Sequence, residues 1–171
     1  MSELNQAKSI IRQWWRSLQG KNEERGVNRR GQRAGLRRCK TPLEAAFQDG
    51  FHELRHQLTR GTSQPWVEAR GNQLQTLAVL LAHVREHTDQ SMAKTLAGGQ
   101  DGKGGLSKLR FRRLISHQDV DQGFFESMLR SLKLVKGCVN VDQLTDAVIF
   151  WNEKKRREWA YEFYTVKMDT Q

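Results

Sequence analysis

The chain has 171 residues and a mass of 19.8 kDa, with 37% hydrophobic and 28% charged residues and a mean hydropathy of −0.75, a polar but foldable composition. Its 29 Lys+Arg against 19 Asp+Glu leave a net charge of +10 and a pI near 10.1, which favours a polyanionic partner, nucleic acid ahead of an anionic membrane surface. No apolar run approaches the roughly 20 residues that span a bilayer, and the opening MSELNQAKSI lacks the basic start and apolar middle of a secretory signal.

The elements in chain order read as helices. Leu4, Ala7, Ile11, Trp14 and Leu18 recur at threes and fours, with Lys8, Arg12 and Arg16 opposite and Gly20 as a stop. A second helix is expected from Thr41-Pro42-Leu43-Glu44, where Thr41 and Glu44 can form a reciprocal cap and Pro42 needs no donor. Its buried stripe would be Leu43, Phe47, Phe51, Leu54 and Leu58. A third, central helix is expected from about Pro65 to His87, carrying Leu74, Leu77, Ala78, Leu80, Leu81 and Val84.

Residues 98–105 (GGQDGKGG) hold five glycines and break the pattern, so the domain boundary is expected there. Beyond it, one helix spans about Ser107 to His117 with Phe111, Leu114 and Ile115 inward. A second, from near Asp119, buries Phe125, Met128, Leu129, Leu132 and Val135. A third starts at Asn140, with Gln143 completing a cap, and buries Val141, Leu144, Val148 and Trp151; a last one from Glu153 presents Trp159, Phe163 and Val166. The expected fold is all-α: two small helical bundles, residues 1–97 and 106–171, joined by the glycine-rich linker 98–105.

The basic residues are clustered. Residues 25–40 hold Arg25, Arg29, Arg30, Arg33, Arg37, Arg38 and Lys40 with no acid; residues 108–113 hold Lys108, Arg110, Arg112 and Arg113; residues 154–157 are Lys154-Lys155-Arg156-Arg157. Fifteen of the 29 basic residues therefore fall in 26 positions, too dense for an even spread. Arg29, Arg33 and Arg37 would stack in one helical row, where like charges repel, so the row calls for a compensating group such as phosphate. The arginine fork suits bidentate phosphate contact. The aromatics sit mostly on buried stripes and no base-reading motif is present, so contact is expected with the backbone, independent of sequence.

Motifs that resemble chemistry are weaker. His52-Glu53-Leu54-Arg55-His56 matches H-E-x-x-H on an expected helix, with His83 or His87 as a third ligand, and so defines an alternative reading as a zinc metallohydrolase. Arg55 opposes a cation there, and the amphipathic stripe already explains the segment. Gly102-Lys103 departs from the P-loop pattern, with Ala97 at its first position and no preceding strand, although Lys103 could touch nucleic acid. Asp142 and Asp146 lack a third acid for a two-metal site. Cys39 and Cys138 lie far apart without a CxxC, as expected of buried thiols in a reducing cytoplasm. No catalytic residue, metal ligand or cofactor site is expected.

Several segments resemble one family. Arg33-Ala34-Gly35-Leu36-Arg37-Arg38 is similar to the R-A-x-L-R-R signature of the CasB-type small subunit of the type I-E CRISPR Cascade complex. Leu43 through Leu58 is similar to the helix that follows it there, and Leu109-Arg110-Phe111-Arg112-Arg113-Leu114-Ile115 to its R-F-R-R-L-L segment. Val141-Asp142-Gln143-Leu144 through Phe150-Trp151, then Arg156-Arg157-Glu158-Trp159-Ala160 and Phe163-Tyr164, resemble its ending. The resemblance implies a non-enzymatic, two-part helical subunit in antiviral defence. It implies guide RNA, both strands of target DNA, the large and backbone Cascade subunits and a second head-to-tail copy as partners, with no membrane and no small-molecule substrate. As in other RNA-guided effectors, pairing would read sequence while protein holds backbone and displaced strand. Cluster and resemblance together nominate Arg29, Arg33, Arg37, Arg38, Lys108, Arg110, Arg112, Arg113, Lys154, Arg156 and Arg157 as nucleic-acid contacts. A stand-alone DNA-binding regulator is the other alternative, distinguished by sequence preference and by acting alone.

Overall fold

The computed structural model describes residues 2–20, 29–99 and 104–170, and over these the fold is all-α apart from one two-residue strand pair. Arg25 and Lys103 lie outside the described residues. The chain divides into two compact units, Met1–Ala82 and His83–Gln171.

In the first unit, α1 (Glu3–Leu18) buries Ala7, Ile11, Trp14, Trp15 and Leu18, with Ser2 accepting from Asn5 N at its start. The periodicity of the sequence is realised there as expected. α2 spans Arg29–Arg37. The helix expected from Thr41 to Leu58 is broken. Pro42–Phe47 forms a 3-10 helix, capped by Thr41 Oγ1 accepting from Glu44 N, and Gln48 is extended (φ −111°, ψ 131°) before α3 (Asp49–Gly61) begins. That break resets the helical register. Phe51, Leu54 and Leu58 stay buried, while Leu43 and Phe47 turn outward at 62% and 77% exposure. The Trp14 indole N–H donates to Gly50 O at 3.1 Å, tying α1 to the start of α3.

The expected central helix is also two pieces, α4 (Gln64–Glu68) and α5 (Gly71–Ala82). α5 is buried almost all round, from Leu74 to Ala82, and is the core helix of this unit. It ends at Ala82. The chain then enters β1 (Glu86–His87), which pairs in parallel with β2 (Cys138–Val139) inside the second unit.

This moves the boundary. Residues 83–97 belong with the C-terminal half through the strand pair and through α6 (Met92–Leu96), which packs on α10 (Glu153–Asp169). Ser91 Oγ donates to Glu162, and Met92 N to Gln143 Oε1 at 2.9 Å. The described ends of the glycine-rich stretch, Gly98–Gly99 and Gly104–Gly105, thus both fall within the second unit. They are pinned by Leu106 N donating to Leu96 O at 2.7 Å. Gly105 has φ +69°, and a Cβ there would press on Leu96 O and Gly98 N at 2.5 and 2.6 Å, so glycine is needed to close the loop.

The remaining elements are α7 (Lys108–Ile115), α8 (Gln122–Leu134) and α9 (Val141–Ile149). Each has a side-chain cap, from Ser107, Asp121 and Asn140. Phe111, Phe124, Phe125, Met128, Leu132, Leu144, Val148 and Phe163 form the core of the unit, joined by Trp151 and Trp159.

Candidate nucleic-acid interface

α7 is a short helix with a thin apolar seam. Only Phe111 and Leu114 are buried, and Lys108, Arg110, Arg112 and Arg113 are all exposed. Arg110 and Arg113, three apart, share a face. On α8 the spacing of Ser127, Arg130, Ser131 and Leu134 at threes and fours likewise makes one face. These faces, with Lys133, line one cleft of about 380 Å³. Its lining brings together Arg110, Arg113, Arg130 and Lys133 and, among the described residues, contains no acid. Arg130 also approaches Glu126 at 3.7 Å, an exposed contact that offsets part of its charge.

The rest of the unit fixes α7 against its neighbours. Phe111 stacks on Phe163 with ring centroids 3.8 Å apart and planes 5° from parallel. The Arg156 Nε–H donates to Ile115 O at 2.7 Å, and the Trp151 indole N–H to His117 O at 2.7 Å. Both satisfy carbonyls at or just past the C-terminal end of α7, where helices leave acceptors open and carry partial negative charge. Arg156, expected at nucleic acid, uses its Nε–H to clamp the helix that presents Arg110 and Arg113.

The third basic cluster is offset in part by neighbouring acids, most closely at the largely buried Lys155. Lys155 pairs with Asp146 at 2.7 Å, Arg157 with Glu153 at 2.8 Å, and Lys154 approaches Glu158 at 3.9 Å. The acids come from one turn away or from α9, outside the four-residue run that made it look unbalanced.

The first cluster divides. Arg29 is buried and ion-paired to Glu53, with Gln32 also accepting from it at 3.3 Å. The Arg33 Nε–H donates to Ala82 O at 3.0 Å, at the C-terminus of α5. The repulsion along the row is therefore offset by a carboxylate and a helix end, and these two arginines face the core of their own unit. Arg37 and Arg38 are exposed.

The H-E-x-x-H segment is used for structure. Glu53 accepts from Arg29 and Gln32, and His52 Nε2 contacts Ala46 O at 2.7 Å. His83 and His87 do not share a helical face, because the helix has ended at Ala82. Among the described residues, no group of three or more His, Cys, Asp or Glu is placed to hold a metal ion. Asp146, the second acid of the other candidate pair, is bound to Lys155. Burial, with Glu44 adding to it, raises the Cys39 thiol above its ordinary range, and burial with Glu86 does the same for Cys138, so neither is activated as a nucleophile.

Arg130 and Lys133 are invisible to a search for basic runs because each stands alone among the apolar residues of α8. A helical projection of 122–134 puts Arg130 on one face with Ser127, Ser131 and Leu134, and that is the signal the sequence offers for it.

The model for the family described as CRISPR-associated protein Cse2 matches residues 32–164 of the chain. No curated protein matches the sequence. Among solved structures, a chain of the E. coli Cascade bound to a PAM-containing double-stranded DNA target is similar over 94% of this chain and 97% of that one, with a TM-score of 0.67 and 16% identity. At that identity the likeness speaks for the fold.

Proposed function

The chain belongs to the CRISPR-associated Cse2 family, the type I-E Cascade subunit also called CasB, and from that premise we propose that it is a non-enzymatic subunit gripping nucleic-acid backbone without reading its letters. The observation that carries this reading is the convergence of Arg110, Arg113, Arg130 and Lys133 on one acid-free cleft. Exposed Arg37, Arg38, Lys108 and Arg112 add cations within reach of solvent. The mechanism is electrostatic. Opening a duplex against a guide RNA is a nearly balanced exchange, so a few arginine–phosphate contacts on the displaced or target strand tip it toward the open state. Guide RNA, both DNA strands, the large and backbone subunits and a second head-to-tail copy are the proposed partners. Large exposed apolar side chains, Leu43 and Phe47 in one unit and Tyr161 and Met168 in the other, fit a chain that works within an assembly.

The test is the Arg110→Ala, Arg113→Ala double variant. Binding to single strands should weaken equally for all sequences, and the slope of log K against log salt should become shallower by about 1.4, at roughly 0.7 for each phosphate no longer neutralised. Circular dichroism should show the fold unchanged, since both side chains are exposed. Unaltered affinity and slope would remove the cleft from the function.

A further inference from the structure

We propose that the cleft between α7 and α8 receives one whole nucleotide of a single strand, base together with phosphate, and so discriminates single strands from duplex. The proposal rests on the reading that this cleft binds nucleic acid and adds to it what enters. A phosphate oxygen needs only a shallow cationic surface, whereas this cleft encloses about 380 Å³, within the range of pockets that hold small organic ligands. Its chemistry is also of two kinds. Arg110, Arg113, Arg130 and Lys133 supply positive charge, while Leu134, 40% exposed, contributes an apolar surface to the same lining. Arginine and lysine stems extend such a surface, and guanidinium planes stack on the faces of bases.

The polar groups that remain argue against letter reading. Ser131 Oγ–H already donates to Ser127 O at 2.8 Å, leaving mainly its acceptor capacity toward the cleft. Among the described residues no Asn, Gln, Asp or Glu lines it, so the side chains that pair with adenine and cytosine edges are missing, and the arginines and lysine, which can bond a guanine edge, are the groups assigned to the phosphate. The cleft accepts any base by its face and holds the attached phosphate by charge. A base locked in a duplex cannot enter without unstacking, and this is the source of the strand selectivity.

The experiment titrates the full chain at low salt with a labelled oligothymidylate, with an abasic strand of the same length and charge, and with the corresponding duplex. The abasic strand should bind about tenfold more weakly than oligothymidylate, the order expected when a stacked base is removed. Leu134→Gln should weaken oligothymidylate binding severalfold, with an unchanged salt slope and unchanged abasic-strand affinity. Equal affinity for the two strands would overturn the nucleotide pocket, whatever Leu134→Gln does, because that comparison uses the unaltered protein. If both strands still respond equally to Arg110→Ala with Arg113→Ala, the backbone reading survives that failure. If neither strand responds to it, both readings fall.

Discussion

Helices α2 and α7 carry nearly the same signature: short, rich in arginine, free of acid, with arginines three or four apart. They are used in opposite directions. In α2, Arg29 and Arg33 turn toward their own unit, one meeting Glu53 and the other the last carbonyl of α5. In α7, the buried positions are taken by Phe111 and Leu114, so Arg110 and Arg113 are left to solvent and to the cleft they share with α8. The difference lies in what the neighbouring helix offers. α3 and α5 present acceptors to α2, whereas α8 presents Arg130 and Lys133 to α7. A basic run in sequence thus says that acceptors are required, and the fold decides whether they are internal or must be supplied by a ligand.

The largest effect is expected from Glu53→Ala. It leaves the Arg29 guanidinium buried without its carboxylate, and breaking such a pair costs about 3 kcal/mol, toward the lower end of the usual range because Glu53 is itself partly exposed. Urea unfolding should show the loss, with single-strand affinity unchanged in the folded protein. Arg29→Met combined with Glu53→Leu should recover most of the stability, since an apolar pair of similar volume carries no desolvation penalty. If Glu53→Ala proved neutral, the inward-facing account of α2 would be wrong.

A smaller effect is expected from Arg156→Ala. It removes the hydrogen bond to Ile115 O and the positive charge at the C-terminus of α7, together worth about 1–2 kcal/mol. The helix it anchors carries half of the cleft, so single-strand affinity should fall less than for Arg110→Ala with Arg113→Ala, and the salt slope should not change. A slope that became shallower by roughly 0.7, the signature of one phosphate set free, would instead return Arg156 to the interface.

Most of the helical framework is legible in the sequence because it rests on local rules. The seam of α1, the helix starts at Ser107 and Asn140, and the buried Phe125, Met128, Leu132, Val141, Leu144, Val148, Trp159 and Phe163 follow from spacing and capping chemistry, whereas Leu129, Val135 and Val166 are only half-buried and Phe124 takes a core place the spacing does not mark. What escapes is decided at a distance. The break at Gln48 that exposes Leu43 and Phe47 lies inside an apolar stripe that keeps helical spacing across it, with only Asp49-Gly50 to mark it. The boundary at Ala82 depends on a parallel strand pair that unites residues 86–87 with 138–139, far apart in sequence. The glycines at 98–105 look like a linker until Leu106 is seen bonded back to Leu96. The site is half legible for the same reason. Arg110 and Arg113 stand in a dense run, while Arg130 and Lys133 join them only through packing of α8 beside α7.

The smallest expected effect sits at the end of the chain that looks most basic. Lys154 and Arg157 each have an acid four residues away on the exposed face of α10, Glu158 and Glu153. Exposed pairs of this kind contribute at most about 0.5 kcal/mol each, and a cation already beside a carboxylate adds little field at a distance. Lys154→Ala with Arg157→Ala should therefore shift unfolding by less than about 1 kcal/mol and leave both single-strand affinity and its salt slope within error. The informative variant is the complementary one. Glu153→Gln with Glu158→Gln frees the same two cations without moving them, and should raise nonspecific single-strand affinity at low salt while that gain disappears at high salt. An affinity loss on removing Lys154 and Arg157 that matched the loss on removing Arg110 and Arg113 would show that intrahelical pairing does not silence a basic run, and the contrast between α2 and α7 would then need another cause.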